Sequence, residues 1–286
     1  MKTFYRPEMN VSKNQSFSPS AGKPKAFIEY LEKNGINLNL ISDFVPVTFQ
    51  DLELAHDRKM VQGILNLKVR NGFGNLSAEV AKSLPYTTGS MLAAAQYAVI
   101  NGENTFSPTS GFHHAGYNYC GGFCTFNGLM VTAMKLLQSN IVKQVGIVDL
   151  DRHYGDGTYD IMGTLEQESI MHYTFGGDNV TQRNADDWLE RLEYHLHNYI
   201  GCDVILYQAG ADPHINDPLG GVLTTQQMKK RDEIIFRMFS QAGVPVVWNL
   251  AGGYQDPIEK VLELHRTTYE IAVSFTQSQW RKYEQA

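Results

Sequence analysis

The chain has 286 residues, of which 43% are hydrophobic and 19% charged. That is ordinary globular composition and enough length for one large α/β domain spanning 1–286 rather than a mini-domain. Its 24 Lys and Arg against 30 Asp and Glu leave a formal charge of −6, which argues against direct nucleic-acid binding, since that needs a basic surface.

Residues 1–22 are polar and turn-rich and read as an irregular N-terminal lead-in. They contain no apolar signal core, and no later apolar run reaches the length of a membrane span, so a cytoplasmic protein without membrane contact is expected. The three cysteines, Cys120, Cys124 and Cys202, are odd in number and lack paired metal-ligand spacing, so free thiols are expected. Apolar periodicity predicts helices over Lys25–Asn34, Asp51–Asn66 and Thr88–Ile100. Helical patterns at Phe126–Gln138, Asp186–Tyr199 and Thr225–Gln241 then alternate with apolar, β-branched runs at Val145–Asp151, Val204–Ala209 and Val244–Leu250. Runs apolar on both faces are the signature of central parallel strands. The alternation predicts a three-layer α/β/α fold around a central, mostly parallel sheet. Each strand is followed by a polar, glycine-rich cluster: DRHYGDG, GADPHINDPLGG and AGGYQ. Ligands bind beyond the carboxyl ends of such strands, so the three segments are expected to meet at one pocket.

Asp149, Asp151 and His153 alternate with period two and project to one side if the strand continues through them. Asp151 and His153 lie nearest the loop, and Asp212 at a second strand end completes a set of one imidazole and two carboxylates. Three protein ligands leave an open position, and the set suits zinc, Fe2+ or another divalent ion. The plainer reading makes these residues turn and capping groups. His113 and His114 form a second constellation, able to serve as general base and general acid. Each then needs a carboxylate to fix its tautomer; Asp149 and Asp156 are free for that work if Asp151 takes the metal. The plainer reading is a surface pair. Tyr254 follows Gly252-Gly253, where the backbone can bend close to a ligand, and its phenol can donate to an oxyanion. His172 ends an apolar stretch and is expected to line the pocket. His56, His195, His197 and His265 fall in helical patterns and read as structural or exposed, and His214 reads as a rim or supporting group.

Together these motifs resemble the histone deacetylase superfamily, which includes acetylpolyamine amidohydrolases. The likeness runs in order through ELAHDRKMVQGIL, SGFHHAGYNYCGGFCTFNG, VGIVDLDRHYGDGTYDIM, AGADPHINDPLGGVLTT and NLAGGY. It implies the arginase/deacetylase fold and a zinc-type amidohydrolase that removes an acyl group, chiefly acetyl, by metal-activated water. The implied substrate is an acyl-lysine peptide or a small N-acyl amine. By position it implies Asp151, His153 and Asp212 as metal ligands, and His113 and His114 as the catalytic pair with Asp149 and Asp156 as partners. It further implies Tyr254 as the oxyanion donor, and Gly122 and Phe123 at the acyl tunnel, with Gly252 beside the substrate. The division of acid and base duties between the histidines stays open. The chain departs from the pattern at Tyr154, where a second histidine is usual, and at Ser110, where a glycine is usual. FGGDNVTQRNADDW lacks the usual tunnel-wall loop, and Ile170 stands where a serine often lies near a structural K+ site. The alternatives are an arginase-like ureohydrolase, disfavoured by Gly155 where a second-metal Asp is expected, and a non-catalytic acyl-ligand-binding protein.

Overall fold

The computed structural model describes residues 1–12 and 16–283, with side chains described as far as residue 276. Seven strands form one sheet: β1 (Lys2–Phe4), β2 (Asn39–Ile41), β3 (Thr105–Ser107), β4 (Val145–Asp149), β5 (Ile170–Thr174), β6 (Val204–Gln208) and β7 (Val246–Asn249). Their order is β2-β1-β3-β7-β6-β4-β5, and every neighbouring pair is parallel. The described helices are α1 (Lys23–Lys33), α2 (Phe49–Leu52), α3 (Arg58–Leu65), α4 (Ala78–Asn101), α5 (Gly128–Gln138), α6 (Asp156–Thr164), α7 (Ala185–His195), α8 (Thr225–Ala242) and α9 (Glu259–Tyr283).

The strands are apolar on both faces because both faces are covered. Val145 and Ile147 of β4, Val204 and Leu206 of β6 and Val247 of β7 pack into a core with α3, α4 and α5. The alternate residues, Val148, Ile205, Tyr207, Val246 and Trp248, pack into a second core with α1, α7, α8 and α9. This is the expected three-layer α/β/α fold. Strand ends are aligned by register: Ser107 pairs with Asn249, Asn249 with Gln208, Gln208 with Asp149 and Asp149 with Thr174. All the polar clusters therefore emerge along one edge of the sheet.

Several elements differ from the sequence expectation. The lead-in contributes β1 to the interior of the sheet, a three-residue strand held by neighbours on both sides rather than by its own periodicity. The helix expected over Asp51–Asn66 is two helices, because the Asp57 carboxylate accepts the N–H groups of Lys59 and Met60 and starts α3 afresh. α4 begins earlier than expected, capped by Ser77, and carries Pro85 inside it, a residue that ordinarily ends a helical pattern. The helix expected to reach Tyr199 ends at His195, and a short 3-10 turn covers His197–Gly201. β4 stops at Asp149, so Asp151 and His153 are loop residues and the period-two argument does not carry to them. β2, β3, β5, α6 and α9 were not anticipated. No helix among the described residues is long and apolar enough to cross a membrane.

Candidate active site

On leaving β4 the chain turns immediately. Asp149 Oδ1 accepts the Asp151 N–H at 3.1 Å, and Asp151 Oδ1 accepts the His153 N–H at 3.0 Å. Across the gap, Asp212 Oδ1 accepts the Arg152 N–H at 3.1 Å, tying the loop after β6 to the loop after β4. The ligand atoms of Asp151, His153 and Asp212 thereby lie within 4.8 Å of one another. His153 Nδ1 is 3.2 Å from Asp151 Oδ1 and 2.9 Å from Asp212 Oδ2. Glycine leaves room for both carboxylates. A Cβ on Gly252 would stand 2.4 Å from Asp212 Oδ2 and 2.6 Å from Asp151 Oδ2, and one on Gly210 would stand 2.7 Å from Asp212 Oδ1. Gly252 also donates its N–H to Asp151 Oδ2 at 2.8 Å. Gly252, expected beside the substrate, thus abuts the carboxylate pair.

Two buried carboxylates side by side require a positive counter-charge. Burial is the largest influence on both. The His113 charge and the His153 hydrogen bond outweigh it at Asp151 and hold that carboxyl well below its ordinary value. Burial and the Asp151 charge raise Asp212 to about 7. Hydrogen bonds donated to Asp151 and then Asp212 lift His153 to about 10. A divalent cation satisfies the same demand, and one nitrogen with two carboxylate oxygens is a donor set that zinc or Fe2+ accepts with a position to spare.

His113 and His114 sit in the long loop between β3 and α5, their ring centroids 4.0 Å apart. His113 Nδ1 meets Asp149 Oδ2 at 2.7 Å, and its Nε2 lies 3.7 Å from Asp151 Oδ1. With both oxygens occupied, Asp149 serves the histidine and the turn rather than an ion. His114 Nδ1 meets Asp156 Oδ1 at 2.5 Å, at the first residue of α6. In each pair the carboxylate holds the Nδ1 proton and leaves Nε2 for the site. The two environments differ. The His113 side chain is 4% exposed and that of His114 is 23% exposed. Burial alone would lower His113, but the Asp149 and Asp151 charges prevail and lift it to about 9. His114 is lowered, by burial first and then by the neighbouring His113 charge.

Tyr254 ends a loop that bends through positive φ at Ala251 (52°) and Gly253 (139°). Its N–H donates to Asp217 Oδ2 at 2.7 Å. Among the described residues its hydroxyl has no hydrogen-bond partner. Burial, then the Asp212 and Asp151 charges, push the phenol far above its ordinary value, so it remains a proton donor. Phe123 lies 5.8 Å from the Tyr254 ring and is itself at positive φ (64°). Gly122 backs onto His114, where a Cβ would come within 2.5 Å of Cδ2. His172, expected to line the pocket, lies behind the loop that follows β4. β5 pairs it with Ile147 of β4, and its ring sits beneath Gly155, where a Cβ would meet it at 3.0 Å. A wide, open depression of about 530 Å³ lies over His114 and His153, bordered by Arg152, Tyr154, Gly176 and Gly220 among others. Phe175 is buried against Trp188, so Gly176 rather than an aromatic ring forms that wall. All three cysteines are free.

The histone deacetylase domain matches residues 19–175 and 178–268. The chain belongs to the histone deacetylase family. Within it, an uncharacterized protein of Picosynechococcus sp. is 30% identical over 245 residues, 77% of this chain and 81% of that protein. The acetylpolyamine amidohydrolase of Mycoplana ramosa is 27% identical over 176 residues, 51% of this chain and 50% of that enzyme. Histone deacetylase 2 of Arabidopsis thaliana is 26% identical over 172 residues, 53% of this chain and 44% of its own. The matches to these two named enzymes thus span half their length or less. The deacetylase fold is shared with the crystal structure of the HDA15 HD domain, at TM-score 0.76 and 18% identity over 98% of this chain and 94% of that one. An acetylpolyamine aminohydrolase from Burkholderia pseudomallei has TM-score 0.72 and 15% identity over 96% and 99%.

Three residues hold this deacetylase-family site together, and sequence reasoning missed two of them, Arg231 and Lys23. Arg231 on α8 is buried and donates to the carbonyls of Leu150 at 3.2 Å and Gly210 at 2.8 Å, just ahead of Asp151 and Asp212. Lys23, also buried, donates to the Ala251 carbonyl at 2.5 Å and so anchors the Tyr254 loop. Burial lowers it to about 8 against the pull of Asp212 and Asp151. His56, read as structural or exposed, is buried; its Nδ1 meets Gly116 O at 2.8 Å and its Nε2 accepts the Asn127 N–H at 2.8 Å, clasping the histidine loop. Arg231 did leave a signal: with Asp232 it occupies the apolar stripe of α8 between Met228 and Ile235.

Proposed function

We propose that the chain is a metal-dependent deacylase that hydrolyses the amide of an N-acyl amine, with acetyl-lysine or a small acetylated amine as the substrate type. The observation that carries this reading is the convergence, around the Asp151–His153–Asp212 cluster, of two His–Asp pairs and a protonated Tyr254. The cluster would hold one divalent ion, zinc first among the candidates, which when bound supplies Lewis-acid polarisation of the carbonyl and acidification of water. Tyr254 donates a hydrogen bond to the carbonyl oxygen as it gains negative charge. His114 lines the cavity and is the neutral imidazole, so it accepts the proton of the attacking water and then delivers it to the leaving nitrogen. His113 is sealed below, hydrogen-bonded through Nδ1 to Asp149, with its Nε2 facing Asp151. Asp156 orients His114 throughout.

Among the described residues this cluster is the only group of three or more metal-capable side chains, which favours the deacylase over a two-metal ureohydrolase. The test is turnover of acetyl-lysine amide and acetylated diamines by zinc-loaded protein. Release of acetate that disappears in His114→Ala supports the reading. No turnover across a broad acyl-amine panel with full metal loading refutes it.

A further inference from the structure

The open depression bordered by His114 and His153 contains a cation that neither the ligand set nor the two His–Asp pairs uses. Arg152 lies between the ligands Asp151 and His153 in the chain, and its side chain is on the cavity wall with His114 and His153. Its backbone N–H is committed to Asp212, but among the described residues its guanidinium makes no ion pair and no hydrogen bond. What holds it is apolar: the guanidinium carbon stands 5.9 Å from the centroid of the buried Phe175 ring, and its stem passes Gly220, where a Cβ would be 3.4 Å from Cγ. The carboxylate sharing this wall, Asp156, is already bound to His114 at 2.5 Å. A half-buried arginine with its donors free is a ready receptor for a carboxylate, which its planar fork binds bidentately.

We propose that Arg152 is a specificity-determining residue that recognises a carboxylate on the substrate near the scissile amide. The assignment rests on the deacylase reading and narrows it. The favoured substrates are anionic N-acyl amines, and acylated polyamines, whose remaining amines are cationic, are disfavoured. The carboxylate belongs either to the leaving amine, as in a free amino acid acylated on its side chain, or to the far end of a dicarboxylic acyl group.

Two matched pairs separate these sources with the full chain under zinc loading: Nε-acetyl-lysine against its α-amide, and Nε-succinyl-lysine amide against Nε-acetyl-lysine amide. The carboxylate-bearing member of one pair should show about tenfold higher kcat/KM, the scale of one charge-assisted contact. The responding pair identifies the source. Arg152→Gln should bring the ratio close to unity, and Arg152→Lys should retain part of it. No preference in either pair, or a preference that survives Arg152→Gln, overturns the proposal. Calorimetric binding of the same four compounds reads it independently of chemistry. A carboxylate preference in binding that is lost in Arg152→Gln, with no turnover of any compound, upholds Arg152 while removing the deacylase reading. Turnover without a preference does the reverse.

Discussion

Replacing Arg231 by methionine removes a guanidinium that is 1% exposed and donates to Asp232 Oδ1 at 2.8 Å as well as to the Leu150 and Gly210 carbonyls. Methionine fills much of the volume, so the loss is chiefly polar. Removing one partner of a buried ion pair costs about 3–5 kcal/mol, mostly by stranding the other. Asp232 keeps the hydroxyls of Tyr207 and Thr268, which puts the expectation at the lower end, about 3 kcal/mol. An unfolding entropy of about 2.1 cal/mol/K per residue gives roughly 0.6 kcal/mol/K for this chain, so Tm should fall by about 5 °C. The double variant Arg231→Met/Asp232→Asn also removes the stranded charge and should regain about 1 kcal/mol. Thermal unfolding of metal-free protein at pH 7 measures both. A single-variant Tm within about 1 °C of the parent, or a double variant less stable than the single, refutes the reasoning. Zinc affinity should also drop in Arg231→Met, because the released carbonyls precede Asp151 and Asp212.

Gly252→Ala places a methyl group 2.4 Å from Asp212 Oδ2 and 2.6 Å from Asp151 Oδ2; equilibrium dialysis should show loss of tight zinc binding in a chain that still folds by circular dichroism. Tyr254→Phe should lower kcat by about 10²–10³ with little change in KM, since the donated bond matters most in the transition state; a KM effect alone would assign the phenol to substrate binding. Burial lowers the His56 imidazole to about 4 in the folded chain, against about 6.5 when unfolded. Between those values the unfolded chain binds more protons, so stability is full above about pH 6.5 and falls with pH down to about 4, by about 3 kcal/mol from this residue. His56→Gln should flatten the slope of denaturation midpoint against pH in that window, and an unchanged slope would assign the loss to other groups.

What could be read from the residues follows from how local the cause is. Val145–Asp149, Val204–Gln208 and Val246–Asn249 announce themselves because both their faces are buried, leaving unbroken apolar runs. β1, β2 and β3 are three residues each, too short for any period, and exist because a neighbouring strand completes their ladders. Asp151, His153 and Asp212 were legible as polar groups at strand ends, and Asp149 and Asp156 as the carboxylates left over for His113 and His114. Their geometry was not legible: the turn that swings Asp151 and His153 off the strand is set by the Asp149 side chain. Lys23 on α1 and Arg231 on α8 reach the site from helices far apart in the chain, so only tertiary packing reveals their role. The strand that holds His172 was not legible, because an apolar stretch ending in histidine does not say which strand it will pair with.

The central claim is a one-metal hydrolytic site, and a zinc titration of chelator-stripped protein tests it most directly. Acetate release from an acyl-lysine substrate should rise linearly and saturate at one equivalent of zinc per chain, with Asp151→Asn neither binding nor turning over. Full activity in the stripped protein, saturation only at two equivalents, or stoichiometric binding with no hydrolysis of any acyl amine would contradict it.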